Sequence, residues 1–577
     1  MKRKLTLILA AIMLFAAGCN TYTQDATTAP PQTTAPATTV AGGTTAAATE
    51  PADLGPKSFV LADGGDPITL DYGKQADNLS GKALYYTSTA LYRPESSTYI
   101  PDGAESVEVS GDGLTITFKI REGLVWSDGE PLTAEDYRCA FLHRMDPASA
   151  YASANSYYAI EGAKAYNTGE GKAEDVGVSC PDAHTLLFKL AYSYPTMLSS
   201  LYLLSPIRAD YLDKHGESYG TSPETYIGAG PYNLVSWDYN QQLIFEKNPL
   251  YWRAEDVHIT HLTWLTITDS NTRMNMYDMG QVDHASVPPA SIPSYQGEQI
   301  IQYVGGGANA LQFNFSNAAN PEAGKVLANL NFRKALGYAI ERKALSSNIS
   351  DPSYVATGRM VSNFAVTPSG KPWSEAYTDI ELYPATLDEA KAKAYMETAL
   401  AELGYTSAGD LPTFTFLLFD VPSYRSYAEG FLDVWGRVLG ISTIEITVLP
   451  IPQAIQTGMS GQFDIYLAGL NVPADPYGLF EGVSPGGTYC WGAWEGGEEF
   501  AAMLAATNNI TDPQARYDAL FKCEQFYAEH GFMIPLWSYG GTTATRPAVG
   551  LSGYTVDAFN YPMVQIAFAD VIPDSQR

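Results

Sequence analysis

One string in the sequence matches a catalytic motif. Gly482-Val483-Ser484-Pro485-Gly486 has the G-x-S-x-G pattern of the nucleophile elbow, in which a strained turn exposes a reactive serine. That chemistry needs the residue after the serine to donate its backbone N–H to an oxyanion. Pro485 has no N–H. The string therefore predicts an ordinary turn.

Metal and nucleotide chemistry are not favoured either. His258 and His261 are three residues apart, and their Thr and Ile neighbours indicate a strand, where that spacing points the two side chains to opposite faces. The sequence contains no H-E-x-x-H, P-loop or G-x-G-x-x-G pattern. We therefore predict no metal, no cofactor and no enzymatic activity, and we favour binding.

A strand, a turn and a capped helix can be read from the local pattern after residue 113. Leu114, Ile116, Phe118 and Ile120 alternate with polar residues, which predicts a half-buried strand. A short second strand is expected over Leu124–Trp126. Thr133 and Asp136 then resemble a capping box at the start of a helix.

Two further helices are predicted in the second half of the chain. Thr386 and Glu389 form a capping box, and the helix they begin should stop at Gly404. Phe332, Ala335 and Leu336 open an apolar i, i+3, i+4 pattern that continues to Ile340. Alternating helices and short strands indicate an α/β protein.

Chain length and net charge limit the architecture and the partners that this protein can have. The chain has 577 residues and is 45% hydrophobic, so its folded part is too long for a single core and should form several lobes. The net charge of −29 is spread along the chain. This balance disfavours nucleic acid and anionic lipid as partners.

The N-terminus has the pattern of a processing signal. Lys2, Arg3 and Lys4 precede an apolar run that is too short to span ~30 Å of hydrocarbon comfortably. Small residues then lead directly to Cys19 and resemble the lipobox of bacterial lipoproteins. The resemblance implies a signal peptide over residues 1–18 and lipid on Cys19.

The segment after the cysteine is rich in Thr, Ala and Pro. Residues 19–56 contain almost no large apolar side chain, so they cannot offset their ordering entropy by burial. We predict a disordered tether with an end-to-end distance of roughly 35 Å. Such a tether would hold the folded part away from a membrane surface.

Four cysteines follow Cys19: Cys139, Cys180, Cys490 and Cys523. In an oxidising compartment they allow up to two disulfides in three pairings, and free buried thiols are an open alternative. A bond between Cys490 and Cys523 would close a loop of about 33 residues and stabilise the fold by roughly 3–4 kcal/mol.

Several segments carry a family resemblance. Glu105–Tyr137 resembles the signature region of the peptide/nickel class (family 5) of ABC-transporter solute-binding proteins, including its turn glycines and capped helix. Four further segments resemble blocks of the same family in the same order. They are DPITLD from Asp66, GAGPYNLVSW from Gly228 with KNPLYW from Lys247, NFRKALGYAIER from Asn331, and IPLWSY from Ile534.

The resemblance implies a two-lobed clamp of the type II periplasmic-binding-protein kind, with a discontinuous first lobe and an extra small domain. The implied first lobe comprises residues 57–95, 186–306 and 539–577. The extra domain would cover 96–185 and the second lobe 307–538. Two crossovers, near Asn309–Phe313 and Trp537–Tyr539, would form the hinge.

The resemblance also implies where a ligand binds. The family holds a peptide ammonium with an aspartate in the loop that here reads AGLNVPADPYGLF, from Ala468 to Phe480. This chain has Leu470 in place of the family's tryptophan and Pro473 at the usual aspartate position. Asp475, two residues on, is the candidate anchor, and its alternative is a simple turn. Asn471 belongs to the same loop.

Aromatic residues supply the other ligand-binding candidates. Tyr489, Trp491 and Trp494 lie among glycines and could line a cleft, or pack beneath a loop. Tyr151 and Tyr539 stand where the resemblance implies a cleft tyrosine and a hinge tyrosine. Phe313 lies at the other crossover.

The implied function is capture of oligopeptides outside the cytoplasmic membrane and their delivery to ABC permease subunits. The resemblance is greatest to oligopeptide-binding members, and we expect a lipid-anchored monomer. The altered aspartate loop and the tryptophans keep a sugar or another small solute open as the ligand. A surface receptor or adhesin on the same scaffold is a further alternative.

Overall fold

A computed structural model describes residues 56–75, 77–95, 98–151, 154–194, 196–295, 300–317, 319–347, 354–420, 422–471, 475–487, 489–490, 492–552 and 568–576. The described residues all belong to one compact unit, Pro56–Arg577. The predicted signal peptide, Cys19 and nearly all of the predicted tether lie outside the described residues.

The strands are short except for two, β12 and β17, which have 14 and 12 residues. They are β1 Ser58–Asp63, β2 Tyr92–Glu95, β3 Thr98–Pro101, β4 Ala104–Val109, β5 Thr115–Ile120, β6 Val178–Asp182, β7 Thr185–Lys189, β8 Tyr232–Asp238, β9 Gln242–Lys247, β10 His261–Thr266, β11 His284–Ser286, β12 Ile300–Phe313, β13 Val355–Ala356, β14 Phe414–Phe419, β15 Ile444–Leu449, β16 Ile465–Asn471 and β17 Ile534–Thr545.

The helices alternate with these strands. They are α1 Asn78–Thr87, α2 Ala134–Met145, α3 Ala163–Asn167, α4 Met197–Tyr202, α5 Ala209–His215, α6 Ser270–Asp278, α7 Pro321–Ala328, α8 Leu330–Tyr338, α9 Arg342–Ser347, α10 Trp373–Ala376, α11 Glu389–Leu403, α12 Pro422–Val434, α13 Ile451–Met459, α14 Tyr477–Val483, α15 Gly497–Ala506 and α16 Pro513–His530.

The small sheet matches the sequence pattern closely. It has the strand order β4-β5-β7-β6, and the predicted strand at Leu114–Ile120 is confirmed as β5. The capping box of Thr133 and Asp136 is confirmed at the start of α2. The second predicted strand, Leu124–Trp126, is wrong. Only an isolated bridge between Val125 and Pro131 forms there, because the turn leaves no room for a ladder.

The predicted start of α11 is corrected by the structure. Its N-cap is Asp388, whose carboxylate accepts the backbone N–H of Lys391, and not Thr386. Aspartate is a better cap than threonine and stands nearer the apolar run. The predicted end is confirmed, since Gly404 has a φ of 79° and occupies the left-handed cap position. The predicted amphipathic helix at 332–340 is confirmed as α8, although it ends at Tyr338.

The large sheet has the order β15-β14-β16-β12-β17-β11-β1-β10-β9-β8, with β13 added beside β17. The long strands β12 and β17 are its central pair. One hydrophobic core cluster draws on residues from Phe59 to Trp264 together with Val549 and Val571, and another on residues from Leu311 to Trp537. The molecule is therefore an α/β protein with two lobes, the first of which is discontinuous in sequence.

The pairing of β17 with its neighbours shows which strand ends of the two lobes lie close together. Asn471, the last residue of β16, pairs with Gly307, and Gly307 pairs with Tyr539 of β17. On the other lobe Ser286, the last residue of β11, pairs with Thr543 of β17. Because β16 runs parallel to β17 and β11 runs antiparallel to it, both strands end toward the short stretch between Tyr539 and Thr543.

A buried histidine in this sheet makes stability depend on pH. His284 of β11 is fully buried, and its Nδ1 lies 2.7 Å from the Thr545 hydroxyl. Burial, with a smaller contribution from nearby Lys82, lowers the pKa of His284 to about 4. Between pH 6.5 and 4 the unfolded chain binds a proton that the folded chain does not. Stability should therefore fall by up to about 3 kcal/mol across this window.

Chemical denaturation at several pH values measures this effect. The comparison is between the wild type and His284→Gln, because other groups also titrate in the window. Burial raises the pKa of Asp136 to about 6, for example, which opposes the histidine. As the pH falls from 7 to 4, the free energy of unfolding should decrease more in the wild type than in His284→Gln. If the free energies of unfolding of the two proteins change in parallel from pH 7 to 4, His284 is not the source of this pH dependence.

Candidate functional site

Glycines mark the place where the chain crosses between the lobes. Gly305, Gly306 and Gly307 lie in β12, opposite Gly540 and Gly541 of β17. The register shifts between Tyr303 and Gly307, so the ladder is irregular here. A Cβ atom at Gly305 would lie 2.0 Å from the Tyr539 carbonyl oxygen. The two backbones therefore approach more closely than any residue with a side chain would allow.

Strand ends of both lobes converge on this crossover. On the second lobe they are the carboxyl ends of β14, β15 and β16, which run parallel. On the first lobe they are the ends of β1, β10 and β11, also mutually parallel. In open α/β sheets ligands bind outside the carboxyl ends of strands. We take the space between the two rows as the candidate site, and we call it the cleft.

Tyrosines and an asparagine form the second-lobe side of the cleft. Tyr539, predicted as a hinge residue, lies at the crossover and stacks on Tyr354 with ring centroids 5.4 Å apart. Asn309 donates from Nδ2 to the Tyr424 hydroxyl at 3.0 Å. Burial raises the pKa of Tyr539 and of Tyr424, so both hydroxyls stay protonated and can donate or accept.

Sequence reasoning missed Tyr354 and Tyr424, and it named Asn309 only as the start of a crossover. Tyr424 lies five residues after the last residue of β14, and Tyr354 comes directly before β13. A signal for Tyr424 was present in the apolar run Phe414–Phe419, because residues that follow a buried strand lie at its carboxyl end. Tyr354 had none, since β13 has only two residues and no detectable period.

Asp475 already has a charged partner. Arg516 of α16 donates to its carboxylate from Nη1 at 2.6 Å and from Nη2 at 3.3 Å. The Asp475 carboxylate also accepts a hydrogen bond from the backbone N–H of Tyr477, at 2.9 Å. The side chains of Arg516 and Asp475 are 5% and 18% exposed. A ligand ammonium here would join an existing pair and would not meet a lone carboxylate.

Three other predicted residues are placed in the core. Phe313 is fully buried at the end of β12 distant from the crossover, where it pairs with Ile465. Leu470 is buried between β12 and α14 neighbours. Trp494 is buried against Phe500, Tyr527 and Phe532, and it donates to the Val483 carbonyl at 3.3 Å. The structure does not bring these side chains into the cleft.

The remaining aromatic candidates are separated. Tyr151 lies over the Arg144 guanidinium at 3.8 Å and beside Tyr157, and it packs against the core cluster that begins at Phe59. Tyr489 is half-buried and packs on Gly482, where a Cβ would lie 2.7 Å from its ring. The predictions for Trp491 and for the Asn471 side chain fall outside the described residues.

The possible disulfide between Cys490 and Cys523 is not formed in the structure. Both are free thiols in the structure, as are Cys139 and Cys180. Cys490 instead directs its Sγ to the Gly492 carbonyl at 3.2 Å, while Cys523 is buried on α16. Free thiols, the alternative left open from the sequence, are found, although only Cys523 of the four is fully buried. Ser484 of the G-x-S-x-G string donates to the Phe480 carbonyl, which suits a turn.

The lobes also touch at a place distant in sequence from the crossover. Ser193 donates to the Asn508 carbonyl at 2.9 Å, and the Tyr194 ring packs edge-on against Tyr477 with centroids 5.5 Å apart. The Tyr194 hydroxyl donates to Glu481 at 3.4 Å. Burial raises the pKa of that carboxyl. These contacts hold the lobes together beside the loop that carries Asp475.

The described residues contain no group of three His, Cys, Asp or Glu side chains arranged to hold a metal ion. No helix among them is both long and apolar enough to cross a bilayer.

The two lobes, the paired crossover strands and the cleft at the strand ends define the fold of a type II periplasmic binding protein. Residues 98–488 match the family "Bacterial extracellular solute-binding proteins, family 5 Middle", and the chain belongs to this family. The fold class and the family resemblance read from the sequence are thereby confirmed.

Individual relatives and structures agree with this assignment. The chain is 28% identical over 495 residues to the oligopeptide-binding protein OppA of Bacillus subtilis, covering 83% of this chain and 86% of OppA. It is 25% identical over 502 residues to YgiS of Escherichia coli, named a probable deoxycholate-binding periplasmic protein, covering 84% and 88%. A Bacillus anthracis oligopeptide ABC transporter substrate-binding domain superposes with a TM-score of 0.69 at 23% identity, covering 89% and 99%.

Proposed function

We propose that this protein captures oligopeptides in the cleft and delivers them to an ABC permease. The observation that carries the proposal is the convergence of both rows of strand ends on a glycine-rich crossover lined by tyrosine hydroxyls and an asparagine amide. The names of relatives such as the Bacillus subtilis oligopeptide-binding protein OppA support peptide as the ligand. The proposed function is binding alone, with no catalysed reaction.

The cleft suits a peptide backbone. A peptide presents N–H and C=O groups at regular spacing, and the hydroxyls of Tyr424 and Tyr539 can pair with either kind. The side-chain amide of Asn309 donates to the Tyr424 hydroxyl, which leaves the proton of that hydroxyl for a ligand acceptor. Water can fill the remaining polar contacts, which allows many side chains to be accepted.

Lobe movement would close the cleft. β12 and β17 are the central strand pair, and their glycine positions can absorb changes in φ and ψ with little strain. The contact of Tyr194 with Tyr477, which is formed in this structure, would break when the lobes open. The lobe boundaries at residues 95/96, 185/186, 306/307 and 538/539 stay predictions within this proposal.

Thermal unfolding with added ligand tests the proposal. Short alanine peptides at about 100 times their Kd should stabilise the protein by about 2.7 kcal/mol, because they bind the folded state alone. Maltose and deoxycholate at equal concentration serve as comparison solutes. A shift with either of them and none with any peptide of two to five residues would overturn the proposal.

A second candidate ligand class is favoured by one observation. YgiS, named for deoxycholate, is about as similar to this chain as several oligopeptide-binding relatives are. A steroid acid would use the aromatic wall around Tyr354 and Tyr539 and not the backbone pairing. The deoxycholate arm of the same experiment separates the two.

We also propose that lipid on Cys19 anchors the protein to the outer face of the cytoplasmic membrane. The support is the run of small residues that ends at this cysteine. Cys19→Ser should move nearly all of the mature protein from the membrane fraction to the soluble fraction, as judged by fractionation and immunoblotting. A mutant that is processed and still sediments with membranes would contradict the anchor.

A further inference from the structure

A first-lobe loop that carries Ser193 and Tyr194 docks on the second lobe through contacts that do not involve the crossover strands. Ser193 donates to the Asn508 carbonyl at 2.9 Å, and the Tyr194 ring packs edge-on against Tyr477. Tyr194 packs both against the core cluster that begins at Phe59 and against the second-lobe cluster that contains Tyr477. One side chain therefore joins the hydrophobic cores of the two lobes. We call this set of contacts the latch.

The first-lobe half of the latch is held in place by its own lobe. The backbone N–H of Ala191 donates to the Ala159 carbonyl at 2.8 Å, just before the loop. The Tyr194 carbonyl accepts the backbone N–H of Met197 at 2.9 Å, where α4 begins. Hydrogen bonds on both sides thus fix the backbone that carries the ring. Because the loop is already ordered, docking it on the second lobe costs little further conformational entropy.

The second-lobe half of the latch is held in the same way. Tyr477 at the start of α14 is 6% exposed, and its hydroxyl accepts from Nδ2 of Asn508 at 2.8 Å. Its backbone N–H donates to Asp475, and the Arg516 guanidinium that binds Asp475 lies 5.7 Å from the centroid of the Tyr477 ring. The surface that receives Tyr194 is therefore fixed by bonds within the second lobe.

Packing of the Tyr194 ring contributes more to the latch than its hydroxyl does. The hydroxyl lies 3.4 Å from the Glu481 carboxylate, which is long for a hydrogen bond between oxygens. Burial raises the pKa of Glu481, so the carboxylate loses hydration at this place, and this loss offsets the gain from the bond. The edge-to-face pair, by contrast, gains both from the burial of two rings and from the attraction between a ring edge and a ring face.

We infer that the latch keeps the lobes closed in the ligand-free protein and slows the release of a bound ligand. Contacts that exist only when the lobes are closed shift the equilibrium toward the closed arrangement by their own free energy. Since the latch residues belong to the lobes and not to the ligand, release of every ligand should be slowed by the same factor. The statement on ligand release rests on the proposed function, whereas the closed state of the free protein does not.

Small-angle X-ray scattering of the ligand-free protein tests the latch. Bound ligand is removed by unfolding and refolding, and far-UV circular dichroism checks that each variant is folded. Tyr194→Ala should lower the ratio of closed to open molecules about tenfold, which corresponds to about 1.4 kcal/mol, and should increase the radius of gyration. Tyr194→Phe keeps the ring and should match the wild type. Tyr239→Ala is the control, because Tyr239 is 67% exposed in the turn between β8 and β9.

A second variant and a second measurement support this comparison. Ser193→Ala removes one hydrogen bond between the lobes and should increase the radius of gyration less than Tyr194→Ala does, so it decides the question if Tyr194→Ala does not fold. Release is measured by stopped-flow displacement of a fluorescent peptide. Tyr194→Ala should speed dissociation about tenfold, by the same factor for a peptide and for its acetylated form.

The outcomes separate the latch from the proposed function. Equal radii of gyration in the ligand-free wild type, Tyr194→Ala and Ser193→Ala would overturn the latch, and so would an equal expansion in Tyr239→Ala. A change in dissociation rate that differs between the two peptide forms would place Tyr194 against the ligand and would overturn it as well. If no peptide binds the wild type, the proposed function fails, and the scattering comparison still decides on the latch.

Discussion

Glu524→Gln is expected to lower the free energy of unfolding by about 3–5 kcal/mol, the cost of breaking a buried ion pair. Glu524 is 1% exposed, and its carboxylate accepts hydrogen bonds from Nε and Nη2 of Arg359. It also accepts from the Trp373 indole at 2.7 Å and from the Val361 backbone. The substitution would leave the Arg359 charge buried without a counter-charge.

Urea unfolding at neutral pH measures the loss. Glu529→Gln is the matched control, because Glu529 lies on the same helix with its side chain 72% exposed, and it should change stability by less than about 0.5 kcal/mol. The double variant Arg359→Met with Glu524→Gln should recover part of the loss, since it removes the unpaired charge. Equal stability of Glu524→Gln and wild type would contradict the pair's structural role.

Asp475→Asn should weaken peptide binding by about 2–5 kcal/mol if Asp475 holds the ligand ammonium, as predicted from the sequence. The structure sharpens this expectation. Arg516 lies 2.6 Å from the carboxylate, so the asparagine variant would leave a positive charge facing the ligand. Repulsion would then add to the lost attraction. Peptides with an acetylated N-terminus should bind the wild type weakly and should be affected less by the substitution.

Calorimetry on both proteins, with one peptide and its acetylated form, distinguishes the two parts of this effect. Glu499→Gln, an exposed acid at the start of α15, controls for the change in net charge. Equal affinity in all four combinations would remove Asp475 from the ligand site. It would then be a structural partner of Arg516, and the alternative given from the sequence, a turn with no ligand role, would hold.

Local structure was predictable where one short segment determines it. The strand β5 follows from the alternation of Ile116, Phe118 and Ile120, and the start of α2 from Thr133 and Asp136. The error at Thr386 has the same local origin, because two potential caps stood close together and Asp388 was the stronger. Local patterns also predicted the end of α11 at Gly404.

The site was less predictable, because its contacts join residues distant in the sequence. Arg516 is forty-one positions from Asp475, and no local pattern connects them. Trp494 stands among glycines like a loop aromatic, yet it is buried by Phe500, Tyr527 and Phe532. The crossover at Tyr539 was inferred only from the family resemblance. Its register with Gly307 is a property of the folded sheet.

The most direct test of peptide capture is to identify the ligand that the protein retains. Residues 20–577 would be expressed without the lipidated cysteine, purified under native conditions and analysed by native mass spectrometry, followed by denaturation and sequencing of the released ligand. The account predicts a mixture of short peptides. A single glycan, steroid or other non-peptide compound as the retained ligand would contradict it.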